Sequence, residues 1–155
     1  MMRPEHLQSV IQPILHVINQ VAGVLPTVER VQMVTTLTMM HGVCIGVGLE
    51  GEAEGGIYLI CERPVGRQIA AKMTGTELTE EQEEAVNQTL MELVNMIAGN
   101  SVGLLSRAGL KVGITPPTAY QSAPALPYGA GCAMVFMNSP VGMIKFCVVI
   151  AEKNQ

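Results

Sequence analysis

Glu92-Leu93-Val94-Asn95-Met96-Ile97-Ala98-Gly99-Asn100 stands inside the longest helical pattern of the chain. At about 100° per residue, Leu90, Leu93, Val94, Ile97 and Leu104 gather on one side of that helix. Glu92 and Asn95 fall on the opposite side, three residues apart and pointing the same way. Gln88, Met96, Gly99 and Gly103 accompany them on the outward face. A carboxylate beside a carboxamide on an exposed helix can position a water molecule or meet a charged group of a partner. Exposed Glu and Asn are also common on plain solvated surfaces, so spacing alone leaves both readings open.

The pattern extends from this segment in both directions. Thr79 with Gln82 three residues later is a capping-box signature, and Glu80 and Glu81 suit the positive end of a helix. The helix runs to about Arg107, with Gly109 as its stop. Lys111 to Thr115 reads as a strand entering Pro116-Pro117, two residues that stiffen the chain leaving it. Ala119 to Pro127 reads as loop or edge strand, because proline cannot join a central ladder. Residues 130–137 and 141–150 are strongly apolar strands, expected to form a hairpin turning at Asn138-Ser139-Pro140.

Toward the N-terminus, Val10, Ile11, Ile14, Leu15, Ile18 and Val21 recur at helical spacing and predict a helix over Glu5 to Val21. Pro13 lies within it and predicts a kink; Gly23 and Pro26 end it. Three strands are expected at about 29–38, 42–49 and 55–61. They are separated by a turn at Met40-His41-Gly42 and by a Gly-rich turn over Glu50 to Gly55. Pro64 can open a short helix through Ile69, Ala70 and Met73 that Gly75 ends. The order of elements predicts an α+β domain, with long helices packed on antiparallel sheet.

A repeat is visible inside this single domain of residues 1–155. His16-Val17-Ile18-Asn19-Gln20-Val21-Ala22-Gly23 resembles Glu92 to Gly99 at a separation of 76 residues. The same offset aligns Gly55 with Gly131, and Pro64-Val65-Gly66 with Pro140-Val141-Gly142, although the first of those copies reads as helix and the second as strand. A duplicated αβ unit, about 1–76 and 77–155, accounts for the pattern. His16 stands where the second copy has Glu92, so Asn19 belongs to a half-motif.

Bulk properties exclude several functions. Of the 155 residues, 48% are hydrophobic and 14% charged, which excludes a disordered chain. A net charge of −4 with scattered Lys and Arg argues against nucleic-acid binding and against a membrane surface. No apolar run of about eighteen residues predicts a membrane span, and no signal-peptide pattern precedes the first helix. The expected location is cytoplasmic. Cys44, Cys61, Cys132 and Cys147 form no C-x-x-C pair and sit in apolar, strand-like runs that suit buried core. His16 and His41 complete no metal-ligand spacing, so neither a metal nor another cofactor is expected.

The segment Glu92-Leu93-Val94-Asn95-Met96-Ile97-Ala98-Gly99 resembles the E-x-x-N-M-x-A-G signature of the CheC/CheX family of chemotaxis phosphatases. Val112-Gly113-Ile114-Thr115-Pro116-Pro117-Thr118 is similar to the I-T-P-P-T segment of its CheX branch. One complete motif in place of two also favours that branch. The resemblance implies a CheC-like fold of duplicated αβ units and a phosphatase acting on the phospho-aspartate of CheY-like response regulators. It implies that Asn95 orients the attacking water while Glu92 contacts a lysine of the receiver. It implies docking through Gln88, Met96, Gly99 and Gly103, a Mg²⁺ belonging to the response regulator, and a homodimer. Two other readings stand beside it. One is a module that binds a phosphorylated receiver without hydrolysing it; the other is a structural domain like that of flagellar switch proteins.

Overall fold

The computed structural model describes residues 2–37, 42–125 and 131–153. The chain runs α1 (Pro4–Ala22), β1 (Thr27–Val34), β2 (Val43–Gly51), β3 (Ala53–Cys61), α2 (Arg63–Thr74), α3 (Glu83–Arg107), β4 (Val112–Ile114), β5 (Thr118–Ala119), β6 (Cys132–Asn138) and β7 (Ile144–Glu152). The helices end where the sequence predicts. Gly23 and Gly75 sit at φ +65° and +71° as left-handed caps, donating their N–H groups to Asn19 and Ala71. Helix α1 continues through Pro13 without interruption.

All strand pairs are antiparallel, in the order β1-β6-β7-β3-β2-β4, with β5 also paired to β2. Exchanging α1-β1-β2-β3 for α3-β4-β6-β7 gives the same order read from the other edge, the arrangement a duplicated αβ unit would leave. Pro64-Val65-Gly66 opens α2, whereas Pro140-Val141-Gly142 lies in the β6–β7 connection. Those two matched segments therefore occupy different kinds of structure.

Alternation along the strands divides the apolar residues between two faces. Ile45, Val47, Ile57, Leu59, Val135, Met137, Phe146 and Val148 join the helices in the main core. Cys44, Tyr58, Ile60, Cys132, Met134, Cys147 and Val149 form a smaller cluster on the other face. All four cysteines are buried in strands, as their surroundings predict; Cys132 and Cys147 are paired as a disulfide, which the sequence pattern did not indicate. Burial raises the Cys44 thiol to about 11 and, with smaller electrostatic contributions, the Cys61 thiol to about 12. Held protonated, neither is suited to act as a nucleophile or a metal ligand.

Several boundaries differ from expectation. The first strand is Thr27–Val34, so it starts and ends earlier than 29–38, and Leu37 packs into the smaller cluster. The expected turn over Glu50 to Gly55 is mostly strand: β2 and β3 are joined at Gly51-Glu52, a connection held where Glu52 accepts a 2.7 Å hydrogen bond from the Lys111 N–H. Gly55 lies in β3 at φ +140°, where an added Cβ would run into the Val149 carbonyl. The glycine that looked like a turn residue is thus a close approach of two backbones. Met40 and His41 of the other expected turn, and residues 126–130 of the later loop and strand start, lie outside the described residues.

Candidate functional site

The rotation of α3 decides what its outer face offers. Leu90, Leu93, Val94, Ile97, Ala98 and Leu105 are fully buried and seat the helix against α1, α2 and the sheet. Leu104, expected among them, is only half-buried, and Leu105 takes the core position. Ser101 is buried too, its hydroxyl donating to the Ile97 carbonyl at 2.8 Å. The helix is preceded by a single 3-10 turn, Glu80–Gln82. There the Thr79 N–H donates to Gln82 Oε1 at 2.9 Å, completing one half of the capping box.

With α3 fixed this way, Gln88, Glu92, Asn95, Gly99 and Gly103 are exposed on one side, as predicted. Met96 differs in degree: it is half-buried and packs against the edge of the core. Neighbouring polar side chains turn back onto the helix, Thr89 to the Ala85 carbonyl and Asn100 to that of Met96. The side chains of Glu92 and Asn95 make no hydrogen bond or ion pair with any described residue. Their polar groups are left for water or for a partner.

Gly99 and Gly103 sharpen this picture. A glycine inside a helix costs about 1 kcal/mol relative to alanine, and packing against another helix would be one reason to keep it. A Cβ added at either position meets nothing within 4 Å. At Gly66, by contrast, it would press on Val43 and Leu90. Intramolecular packing therefore explains Gly66 and not the pair on α3.

Two depressions adjoin this helix. One, of about 390 Å³, lies where α2 meets the start of α3, and its charges are already matched: Arg63 with Glu83 at 3.3 Å and Arg67 with Glu80 at 3.7 Å. The other, of about 530 Å³, is an open groove between α1 and α3. It brings Gln12 and His16 of α1 beside Gly99 and Gly103, a neighbourhood that one helical pattern read alone could not disclose. Asn19 is exposed on α1. Among the described residues, no three His, Cys, Asp or Glu side chains are grouped to hold a metal ion, and no helix is long and apolar enough to cross a membrane.

The Pro-Pro segment has a structural role. Thr115 and Gly48 exchange two hydrogen bonds of 2.9 Å, Gly48 N–H to the Thr115 hydroxyl and Thr115 N–H to the Gly48 carbonyl. Pro116 and Pro117 then carry the chain from β4 to β5 along the same edge of β2.

Three helices on one antiparallel sheet define a fold shared with known chemotaxis proteins. A CheX from Desulfovibrio desulfuricans superposes with a TM-score of 0.83 at 15% identity, over 94% of this chain and 99% of that one. A CheC-like superfamily protein from Shewanella sp. PV-4 does so at 0.80 and 20%, over 94% and 98%. A chain of the CheX-CheY-BeF3-Mg²⁺ complex from Borrelia burgdorferi matches at 0.75 and 26%, over 97% and 100%. No curated protein matches by sequence. The fold class is thus CheC/CheX-like. The sequence pattern of the family described as chemotaxis phosphatase CheX matches residues 43–137, more than half of the chain. The chain belongs to the CheX family.

Proposed function

We propose that this protein dephosphorylates the phospho-aspartate of a CheY-like response regulator. The observation that carries the reading is the pair Glu92 and Asn95: exposed, one turn apart on a well-seated helix, and unpartnered among the described residues. In this reading Asn95 enters the receiver's active site and holds water in line with the phosphorus, while Glu92 meets a receiver lysine and fixes the pose. An acyl phosphate is reactive already, so positioning and charge stabilisation are what a catalyst must supply. The amide of Asn95 can accept from the water while donating to a second oxygen, which restricts the water's orientation before attack. The Mg²⁺ belongs to the receiver, and this chain contributes no cofactor.

Docking uses the same face, with Gln88, Met96, Gly99 and Gly103 around the catalytic pair. The protein acts as a homodimer, a reading favoured by the apolar side chains Val31 and Met33, 43% and 52% exposed on the edge strand β1. Light scattering at micromolar concentration should return twice the mass of one chain; a single-chain mass would remove the dimer.

A module that binds a phosphorylated receiver without hydrolysing it would have no use for an unpartnered, water-orienting amide. A purely structural role, like that in a flagellar switch, would need neither member of the pair. The discriminating experiment is the decay of a phosphorylated receiver in the presence of wild type and Asn95→Ala. Acceleration by the wild type alone supports the phosphatase. Binding without acceleration would leave the module.

A further inference from the structure

The groove between α1 and α3 continues the docking face beyond the catalytic pair. Gly99 lies one turn past Asn95 and Gly103 two turns past it, about 6 and 12 Å along the helix. A Cβ at either glycine would have no neighbour within 4 Å, so the groove floor is bare backbone. Gln12 and His16 from α1 and Asn100 and Arg107 from α3 are its polar side chains, set beside Pro13 and Leu104. No carboxylate lines it, although Asp and Glu outnumber Lys and Arg by 13 to 9 in the chain. Arg107 makes no ion pair with any described residue, unlike Arg63 and Arg67, which pair with glutamates at the far end of the same helix. The first half of α3, by contrast, carries Glu80, Glu81, Glu83, Glu84 and Glu92 on or just before it. Glu80 and Glu83 are matched by Arg67 and Arg63, and Glu81, Glu84 and Glu92 leave this end of the helix more acidic than the end at Arg107.

We propose that this groove is the second half of the receiver-docking surface, taking an acidic main-chain segment of the receiver between Arg107 and His16 and over Gly99 and Gly103. It rests on the reading of α3 as the helix that meets the receiver. Arg107 supplies a fixed positive charge, His16 a ring N–H or lone pair, and the two glycines let the partner's backbone come close. The position of His16 also gains a meaning. In the repeat it corresponds to Glu92, and an imidazole in place of the acid spares an acidic segment the repulsion of a carboxylate at this half-motif. Arg107 and His16 are positioning and specificity residues here, with no part in the chemical step.

The test uses the CheY-type receiver whose phosphate decay the wild-type protein accelerates, with its beryllofluoride–Mg²⁺ form for binding. Arg107→Glu should raise the receiver concentration for half-maximal rate about tenfold, and weaken the beryllofluoride complex to match, by removing one attraction and adding one repulsion. The rate at saturating receiver should stay within about twofold, since the pair that acts on the phosphate is untouched. His16→Glu should act in the same direction, and both effects should shrink in high salt. Gly103→Gln, which fills the groove without changing charge, should weaken binding in a manner independent of salt. Circular dichroism and the melting temperature check folding in each case. Unchanged affinity in Arg107→Glu and Gly103→Gln would overturn the groove while leaving the role of Asn95 intact. Failure of the wild type to accelerate any receiver would instead remove the phosphatase reading, and the groove with it.

Discussion

At the scale of single residues, Asn95 and Glu92 combine two properties rarely needed by the fold itself: they are exposed, and their side-chain polar atoms bond to nothing else in the described chain. Removing either should leave stability nearly untouched, within about 0.5 kcal/mol by thermal or urea unfolding. The effect on catalysis should be far larger. Loss of one well-placed polar group at a reaction centre typically costs on the order of 100-fold in rate, and Asn95→Ala should lose at least that much of the acceleration. Glu92→Ala should mainly raise the receiver concentration needed. Asn19→Ala should change neither quantity, because its half-motif lacks the carboxylate. A second pair of variants separates surface from packing. Gly99→Ala and Gly103→Ala should each stabilise the protein by about 1 kcal/mol in urea denaturation, since the added methyl meets no neighbour. A fall in stability would mean that these glycines serve the core after all.

At the scale of elements, α3 is the part that the sequence described best, and the reason is its length. Over 25 residues the 3.6-residue period averages out individual exceptions, so the buried stripe and the outward face were both legible. Leu104 and Leu105 show the limit: adjacent leucines differ by one step of rotation, and tertiary packing chose Leu105 for the core. Short segments gave less. Glu50 to Gly55 is rich in Gly and Glu, a composition shared by turns and by strands whose backbones approach closely. Only the Val149 carbonyl opposite Gly55 distinguishes them. Gly55→Ala should therefore be severely destabilising and should yield little soluble protein. The seating of α3 has its own expected magnitude. Leu93→Ala should cost about 3 kcal/mol of stability, measured by urea unfolding, and should lower activity only in proportion to the folded fraction.

For the whole molecule, the sheet has two unequal faces, one under the helices and one holding the smaller cluster around Cys44, Tyr58 and Met134. The sequence paired the last two strands as a hairpin, which β6 and β7 form, but it could not say which more distant strands would be neighbours. The mirrored order β1-β6-β7-β3-β2-β4 depends on contacts between distant segments, and the Cys132–Cys147 pair on the register of one hairpin; periodicity carries no information about either. The α1–α3 groove escaped for the same reason: Gln12 and His16 acquire their place only when the two halves fold together. The buried thiols give the fold a pH signature. Cys44 and Cys61 hold their protons to about 11 and about 12 in the folded protein, against 9.0 for an exposed thiol. The folded state binds more protons than the unfolded state in that interval, so stability falls as pH rises. The contribution is fully present below about pH 9 and is lost as the pH climbs through the folded values. Urea midpoints should thus be level from about pH 7 to 9 with respect to these groups and drop above it, and Cys44→Ala with Cys61→Ala should flatten the drop.

Catalysis by Asn95 is the claim on which the functional account turns, and the most direct test is the first-order decay of a ³²P-labelled receiver phosphate. Wild type should shorten the half-life in proportion to its concentration, and folded Asn95→Ala that still binds the beryllofluoride–Mg²⁺ receiver should leave it at the spontaneous value. Equal acceleration by both proteins would contradict the account.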